Sequence, residues 1–202
     1  MSVLFDPSAN YVLEDDCVLL RPLTPEDANI LLVYARNEPD IWRYSAVPVA
    51  GEENFRRYLA TALEARQSGR EYPFIVFDKR SGQYAGSTRF YDIQPANQSL
   101  QLGYTWYGKA FQRTGLNRHC KYLLLNFAFE QLGMLRVEFR ADTRNERSIQ
   151  AMKAIGCTVE GILRSTMPNA AGGRRDSIIL SILKDEWEGG LQAKLGRMLG
   201  LG

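Results

Sequence analysis

A short turn containing glycine, Phe111 to Asn117, joins a predicted strand to a long predicted helix. The strand is Leu100–Tyr107, and the amphipathic segment Leu116–Leu132 follows the turn. A helix that begins after such a turn leaves several backbone N–H groups without intrahelical partners, and its dipole adds partial positive charge. The turn therefore favours a phosphate or pyrophosphate, and Arg113 and Arg118 would reinforce that preference.

The rest of the chain shows two hydrophobic periods, one typical of helices and one typical of strands. The predicted strands are Cys17–Pro22, Phe74–Asp78, Gln83–Tyr91, Leu100–Tyr107, Leu135–Arg140, Thr158–Met167 and Asp176–Leu183. The predicted helices run from Thr24 to about Ala35, over Glu52–Gln67, over Leu116–Leu132 and from Asn145 to about Ile155. Short turns predict antiparallel neighbours, whereas the helix after Gly115 predicts a crossover to a parallel strand. The predicted fold is α/β (α+β): a mixed, mostly antiparallel central sheet of about seven strands flanked by about four helices.

Length and composition exclude several classes of function. The chain has 202 residues, of which 45% are hydrophobic and 24% charged, a balance typical of one globular domain, with two short domains as the alternative. A net charge of +2 is too small to indicate a nucleic-acid surface, and no stretch approaches the roughly 18 apolar residues of a membrane helix. The first ten residues lack the pattern of a signal peptide, and the three cysteines show no metal or disulfide spacing. We therefore expect a reduced, cytoplasmic protein that binds neither nucleic acid nor membrane.

The single histidine, His119, limits metal and triad chemistry. A His-rich metal site is impossible, and a Ser-His-Asp triad would depend on His119 beside Cys120 in the predicted helix. Neighbouring helical residues diverge by about 100°, so these two side chains do not face each other. We interpret His119 as a helix-flank residue, predict no metal, and interpret Cys120 and Cys157 as packing residues.

Six ordered segments of the chain resemble the GNAT acyl-CoA N-acyltransferases, in particular the branch of the RimJ/RimL protein N-terminal acetyltransferases. They are Leu102–Trp106, Gln112–Asn117, Arg136–Glu138, Asn145–Ser148, Ile155–Cys157 and Glu160–Arg164, completed by Arg175–Asp176 and Glu186–Trp187. The resemblance implies an N-terminal extension at 1–16, a catalytic domain at 17–187 and a C-terminal tail at 188–202. One departure is Asn117, which stands where the family's pyrophosphate loop usually has glycine or alanine.

The resemblance also implies where the cosubstrate acetyl-CoA lies. In this family the strand before the loop and the strand after the helix splay apart, and the pantetheine arm occupies the gap. The pantetheine and acetyl carbonyl would meet Tyr104, Thr105, Trp106 and Tyr107, and the pyrophosphate would meet Gln112, Arg113, Thr114, Gly115, Leu116 and Asn117. Strand edges need hydrogen-bond partners, which pantetheine amides can supply, and an N–H near Trp106 would stabilise an oxyanion.

The implied reaction is direct attack of a neutral amine on the thioester, without a covalent enzyme intermediate. Ser148 is the candidate acid for the departing thiolate, and Asn145 would orient cosubstrate or acceptor. The alternative is that Asn145 caps a helix and that Ser148 occupies its third position. Glu138 is the candidate base, with a solvent-facing carboxylate or a relayed water as alternatives.

Trp42, Arg43 and Tyr44 lie in the loop where this family shapes its acceptor pocket, and the alternative is that these aromatics anchor the loop. The predicted function is an acetyl-CoA-dependent N-acetyltransferase acting on a primary amine: a protein N-terminus, a polyamine or another small molecule. The alternative is a non-catalytic acyl-CoA-binding or regulatory module. Residues Gly189 to Gly202 are a candidate for self-association into a homodimer.

Overall fold

The computed structural model describes residues 5–169 and 172–201, which form one sheet of eight strands with helices on both faces. The strands are β1 (Leu13–Glu14), β2 (Val18–Pro22), β3 (Glu71–Asp78), β4 (Gln83–Gln94), β5 (Ser99–Tyr107), β6 (Arg136–Asp142), β7 (Thr158–Pro168) and β8 (Arg174–Leu183). The helices are α1 (Asp27–Asn37), α2 (Glu52–Gln67), α3 (Leu116–Asn126), α4 (Glu146–Ala154), the single turn α5 (Lys184–Glu186) and α6 (Gln192–Leu199).

The strand order is β1-β2-β3-β4-β5-β6-β8-β7, and neighbouring strands are antiparallel except β5 and β6. This confirms the predicted mixed sheet and the parallel crossover through α3. One strand more than predicted is present, because β1 is too short to show a pattern in sequence. It forms where the Asp15 carboxylate accepts hydrogen bonds from the amides of Cys17 and Val18 and turns the chain into β2.

Two apolar layers lie on opposite faces of the sheet. Alternate residues of β3 show this division, since Phe74 and Val76 belong to one layer and Ile75 to the other. The larger layer packs against α3, α4 and α6, and the smaller one against α1 and α2. The sheet is therefore covered on both faces around β5, where the candidate site lies.

The helical segment after the turn extends beyond the end of α3. A wider π-helical turn, Phe127–Gln131, continues α3, and Gly133 follows with a φ of +67°. The predicted helix Leu116–Leu132 therefore corresponds to α3 and this turn together.

The C-terminal segment returns to α3. Trp187 is fully buried, with its ring centroid 5.7 Å from that of Phe129. Further along, Leu195 of α6 is buried, and Gln192 Nε2 donates a hydrogen bond to Asn126 Oδ1 at 2.6 Å. The segment predicted as a tail therefore includes a helix that packs on the larger apolar layer. None of the helices in the described part of the chain is long and apolar enough to cross a membrane.

Candidate active site

The candidate site starts at a gap between the two parallel strands. β5 and β6 pair only at their beginnings, over Ser99–Gln101 and Arg136–Glu138. Beyond that point β5 pairs with β4 alone as far as Tyr107, and β6 pairs with β8 as far as Asp142. The edges facing the gap therefore have no partner strand in the described residues, and such backbone groups need a ligand or water.

A β-bulge in β5 accounts for the divergence. Arg89 pairs with Gly103 and Ser87 pairs with Trp106, so Tyr104 and Thr105 together oppose one residue of β4. Such a bulge bends a strand and increases its twist. Tyr104 has a φ of +48°, an uncommon backbone conformation for a residue other than glycine.

The ring of Tyr104 is held on the sheet although the residue is exposed. The Arg89 guanidinium lies 4.1 Å from its ring centroid, and Tyr91 meets it edge-on at 5.0 Å. Arg89 is itself buried and ion-paired with Glu71 at 2.6 Å. These contacts stabilise the bulge from the α2 side of the sheet.

On the α3 side, Lys121 lies beneath the bulge. Its Nζ donates to Thr105 Oγ1 at 2.8 Å, and burial lowers the pKa of Lys121 to about 8. Reasoning from the sequence missed this residue. The available signal was a lysine on the apolar face of the helix, three and four residues before Leu124 and Leu125.

The predicted phosphate loop leads from β5 into α3. Arg113 and Gly115 have φ angles of +62° and +91°, and the amides of Arg113, Thr114, Gly115 and Asn117 have no hydrogen-bond partner in the described residues. A Cβ at Gly115 would meet nothing within 4 Å. The loop therefore presents unpaired amides at the N-terminus of an 11-residue helix, which is suited to an anion.

Neighbouring elements hold the loop in this shape. Gln112 Nε2 donates to the carbonyl of Tyr107 at 2.9 Å, and Thr114 Oγ1 donates to the carbonyl of Phe111 at 2.8 Å. From the β3–β4 turn, Arg80 donates to the carbonyl of Thr114 at 3.2 Å. These hydrogen bonds use carbonyl groups and side chains, so the backbone amides of the loop stay uncovered.

Asn117, the departure from the family's loop pattern, has an identifiable partner. Its Oδ1 accepts a hydrogen bond from the Tyr107 hydroxyl at 3.2 Å. Complete burial raises the pKa of Tyr107 well above its usual value, so the hydroxyl keeps its proton and donates. The Asn117 side chain therefore contacts protein. The side chain of the preceding residue, Leu116, is buried in the core.

The N-terminus of α4 borders the loop. Asn145 caps this helix, since its Oδ1 accepts a hydrogen bond from the amide of Ser148 at 3.2 Å. In the same turn, Arg147 donates to Gln112 Oε1 across the cleft. The Ser148 side chain is half-buried, and its hydroxyl has no hydrogen-bond partner in the part of the chain that the structure describes.

Glu138 lies where β5 and β6 separate, opposite Gln101. Its two oxygens accept hydrogen bonds from Arg136 at 2.8 Å and from Arg140 at 2.6 Å. Hydrogen bonds between a guanidinium and a carboxylate are charge-assisted, so the two arginines hold the Glu138 side chain in place. Glu138 therefore sits at the vertex of the gap in a chain of ion pairs.

The loop after α1 forms the opposite wall. Trp42 is buried, with its ring centroid 5.0 Å from that of Trp106 and 6.0 Å from that of Phe55, so it anchors the loop. Arg43 and Tyr44 line two pockets. One of about 610 Å³ is also lined by Asp40, Ile41, Arg144, Asn145, Glu146 and Arg147, and one of about 320 Å³ by Asp142, Arg144 and Asn169.

The remaining nucleophiles and the histidine have structural contacts. Burial raises the pKa values of Cys120 and Cys157 to about 12, so both thiols stay protonated at neutral pH. His119 Nδ1 lies 2.7 Å from Asp15 Oδ2. This contact ties the β1–β2 turn to the first turn of α3, close to the loop.

A family model described as an acetyltransferase (GNAT) domain matches residues 18–158, more than half of the chain. The chain belongs to the GNAT acetyltransferase family. It is an N-acetyltransferase, as the curated relatives that it matches are also named. The predicted family resemblance is thereby confirmed, and the six segments that carried it include the gap and the loop described above.

Three relatives of this GNAT chain illustrate the likeness. YdaF of Bacillus subtilis, named a putative ribosomal N-acetyltransferase, is 28% identical over 188 residues, covering 85% of this chain and 94% of YdaF. A GCN5-related N-acetyltransferase from Brucella melitensis is 26% identical, with a TM-score of 0.86 over 96% of this chain and 87% of that one. Mycobacterium smegmatis RimJ, solved with CoA-disulfide, shares the fold at 18% identity, with a TM-score of 0.77 over 96% and 95% of the two chains. The likeness to RimJ shows a shared fold, and the name of YdaF is consistent with the predicted RimJ/RimL-like branch.

Proposed function

We propose that this chain binds acetyl-CoA in the gap between β5 and β6 and transfers its acetyl group directly to a primary amine. The observation that supports this most is the juxtaposition of the unpaired edges of β5 and β6 with the uncovered amides of the Arg113–Asn117 loop. The edges suit the amides of a pantetheine arm, and the loop suits a pyrophosphate. Arg113 and Arg118 form no ion pair in the described residues and add positive charge beside the loop.

The proposed reaction takes place in a ternary complex. The neutral amine attacks the thioester carbonyl carbon, the C–N bond forms, and the C–S bond breaks after collapse of the tetrahedral intermediate. One proton leaves the amine and one reaches the departing thiolate, so the products are an amide and the CoA thiol. A backbone N–H group near Trp106, on the edge of β5 that faces the gap, would stabilise the oxyanion.

Ser148 is the proposed proton donor to the thiolate, because its free hydroxyl lies in the turn that Arg147 holds against the loop. Asn145 positions that turn as the helix cap. Glu138 stays a proposed base. Since two arginines hold its carboxylate, we expect it to take the proton of the amine through a water.

The proposed acceptor enters through the pocket lined by Arg43, Tyr44 and Arg144. Its volume of about 320 Å³ suits the end of a peptide or a small amine. The name of YdaF, a ribosomal N-acetyltransferase, makes a protein N-terminus the first acceptor to test.

Calorimetry with acetyl-CoA tests the cosubstrate, with dephospho-CoA and ATP as controls. We expect binding in the micromolar range, weakened for dephospho-CoA and absent for ATP. Absence of binding to acetyl-CoA would contradict the proposed site. Peptides with free and with blocked N-termini then serve as acceptors in a thiol-release assay.

The alternative of a non-catalytic acyl-CoA-binding module predicts the same calorimetry and no thiol release with any amine. The free Ser148 hydroxyl and the acceptor-sized pocket lined by Arg43, Tyr44 and Arg144 favour the enzyme. Thiol release that depends on a free amino group would decide for the enzyme.

A further inference from the structure

The buried Lys121 has no role in the reaction described above. Only 5% of its surface is exposed, and it forms no ion pair in the described residues. Its Nζ donates to the hydroxyls of Thr105 at 2.8 Å and Thr88 at 3.4 Å. A buried charge without an opposite charge destabilises a fold, and such groups concentrate at functional sites.

The position of this cluster connects it to the gap. The two threonine hydroxyls lie 2.7 Å apart, and each lies 3.4 Å from the carbonyl oxygen of Gly103. They therefore join β4 to both sides of the bulge. On the other side, the Phe139 ring of β6 lies 6.0 Å from Nζ, so the ammonium contacts residues of both strands that border the gap.

We propose that Lys121 is a positioning residue for acetyl transfer. Through Thr105 it fixes the bulge that turns β5 away from β6, and so sets the backbone amides at Tyr104–Tyr107 that face the thioester. Hydrogen bonds from an ammonium are stronger than those from a neutral amine. They hold Tyr104 in its uncommon backbone conformation, with a φ of +48°. This inference rests on the proposed placement of acetyl-CoA in the gap.

The titratable groups that face Lys121 are Cys120 on the same helix and Cys157 after α4. Burial keeps both thiols protonated, and β4, β5 and β6 contribute Thr88, Thr105 and Phe139, which do not titrate. We therefore expect the loss of the Lys121 proton to appear as an alkaline fall in kcat.

The test compares Lys121→Met and Thr105→Val with Lys194→Met, a matched replacement of an exposed lysine on α6. Thiol release is measured at saturating acceptor between about pH 6 and pH 10. We expect Lys121→Met to lower kcat by about tenfold or more, to change the KM for acetyl-CoA less than about threefold, and to abolish the alkaline fall. Thr105→Val is expected to lower kcat and to move the fall to lower pH, because the ammonium loses an acceptor.

If Lys121→Met binds acetyl-CoA as the wild type does and keeps its kcat and pH profile, the inference about Lys121 is overturned and the proposed function is not. A lowered kcat with an unchanged alkaline fall would also overturn it, since the fall would belong to another group. Failure of the wild-type chain to bind acetyl-CoA overturns the proposed function instead. If Lys121→Met does not fold, the direction of the pH shift in Thr105→Val decides.

Discussion

Among single residues, the site combines a free serine hydroxyl, a buried ammonium and thiols that stay protonated. Ser148 and Lys121 differ in what surrounds them. Ser148 is half-buried in the first turn of α4, where its backbone amide donates to the cap residue Asn145 and its hydroxyl is left free. The Lys121 ammonium is surrounded by apolar groups and threonine hydroxyls. Their replacement should therefore affect different quantities.

Ser148→Ala should lower kcat by about a hundredfold if the hydroxyl protonates the leaving thiolate, because general acids contribute on that order. The Asn145 cap accepts from a backbone amide, so the helix keeps its cap and stability should change little. Steady-state thiol release and calorimetry with acetyl-CoA separate the two effects. A wild-type kcat would assign Ser148 to the helix alone.

Lys121→Met should stabilise the protein at neutral pH. Because burial lowers the pKa of Lys121 from 10.5 to about 8, the folded chain binds its proton less tightly than the unfolded chain does. This cost is fully present below pH 8 and disappears as pH rises towards 10.5. The variant should gain up to about 3 kcal/mol in the free energy of unfolding at pH 7, and the gain should vanish above the ordinary lysine pKa.

Urea unfolding of both proteins across this pH range measures the gain. A variant less stable than wild type at pH 7 would show that the hydrogen bonds of Lys121 outweigh the cost of burying its charge.

Among the secondary-structure elements, the site lies where the diverging strands β5 and β6 meet the N-termini of α3 and α4. α3 contributes the loop with left-handed backbone at Gly115, and α4 contributes the turn that contacts Gln112 through Arg147. The β3–β4 turn supports the loop through Arg80. The geometry of the loop therefore depends on three elements besides its own residues.

Gly115→Ala tests the loop. The left-handed conformation costs a residue with a Cβ about 1–2 kcal/mol, so the alanine variant should relax the loop and turn its amides away. We expect acetyl-CoA affinity to fall by about tenfold or more by calorimetry. Gly69→Ala is the matched control, since Gly69 ends α2 with a φ of +72° and its Cβ would make an ordinary contact with Pro7. The control should lose stability but keep its affinity for acetyl-CoA. An equal loss of affinity in both variants would contradict the loop's role.

At the scale of the whole molecule, the C-terminal helix closes the layer beneath α3. Leu195 is 1% exposed, whereas Met198 on the same helix is 46% exposed. The predicted homodimer would have to use the exposed side of this segment, because its buried side already packs within the chain. Light scattering of the full chain and of Met198→Asp measures this, and a monomeric full chain would contradict self-association.

Leu195→Ala should lower the free energy of unfolding by about 2–4 kcal/mol, because it removes a buried side chain and leaves a cavity. Met198→Ala is the control on the same helix and should change it by less than about 0.5 kcal/mol. Chemical denaturation measures both. Equal stability of the two variants would show that α6 is a loosely attached tail.

The sequence alone predicts the order of the helices and strands from β2 to β8, the parallel crossover and the place of the loop. These follow from local properties: the hydrophobic period, and the conformational freedom of glycine at Gly115 between a strand and a helix. The helix cap at Asn145 is equally local, because its acceptor and donor lie three residues apart.

The chemistry around the gap depends on contacts between residues that are distant in sequence. The bulge at Tyr104 depends on its register with β4, and the burial of Lys121 depends on Thr88 and Thr105, which are distant in sequence. The packing of α6 and the ion pair between Arg136 of β6 and Glu160 of β7 likewise arise between separate elements. Burial and charge pairing depend on which surfaces meet in three dimensions, so a one-dimensional pattern predicts the elements of this enzyme but not the environments of its ionisable groups.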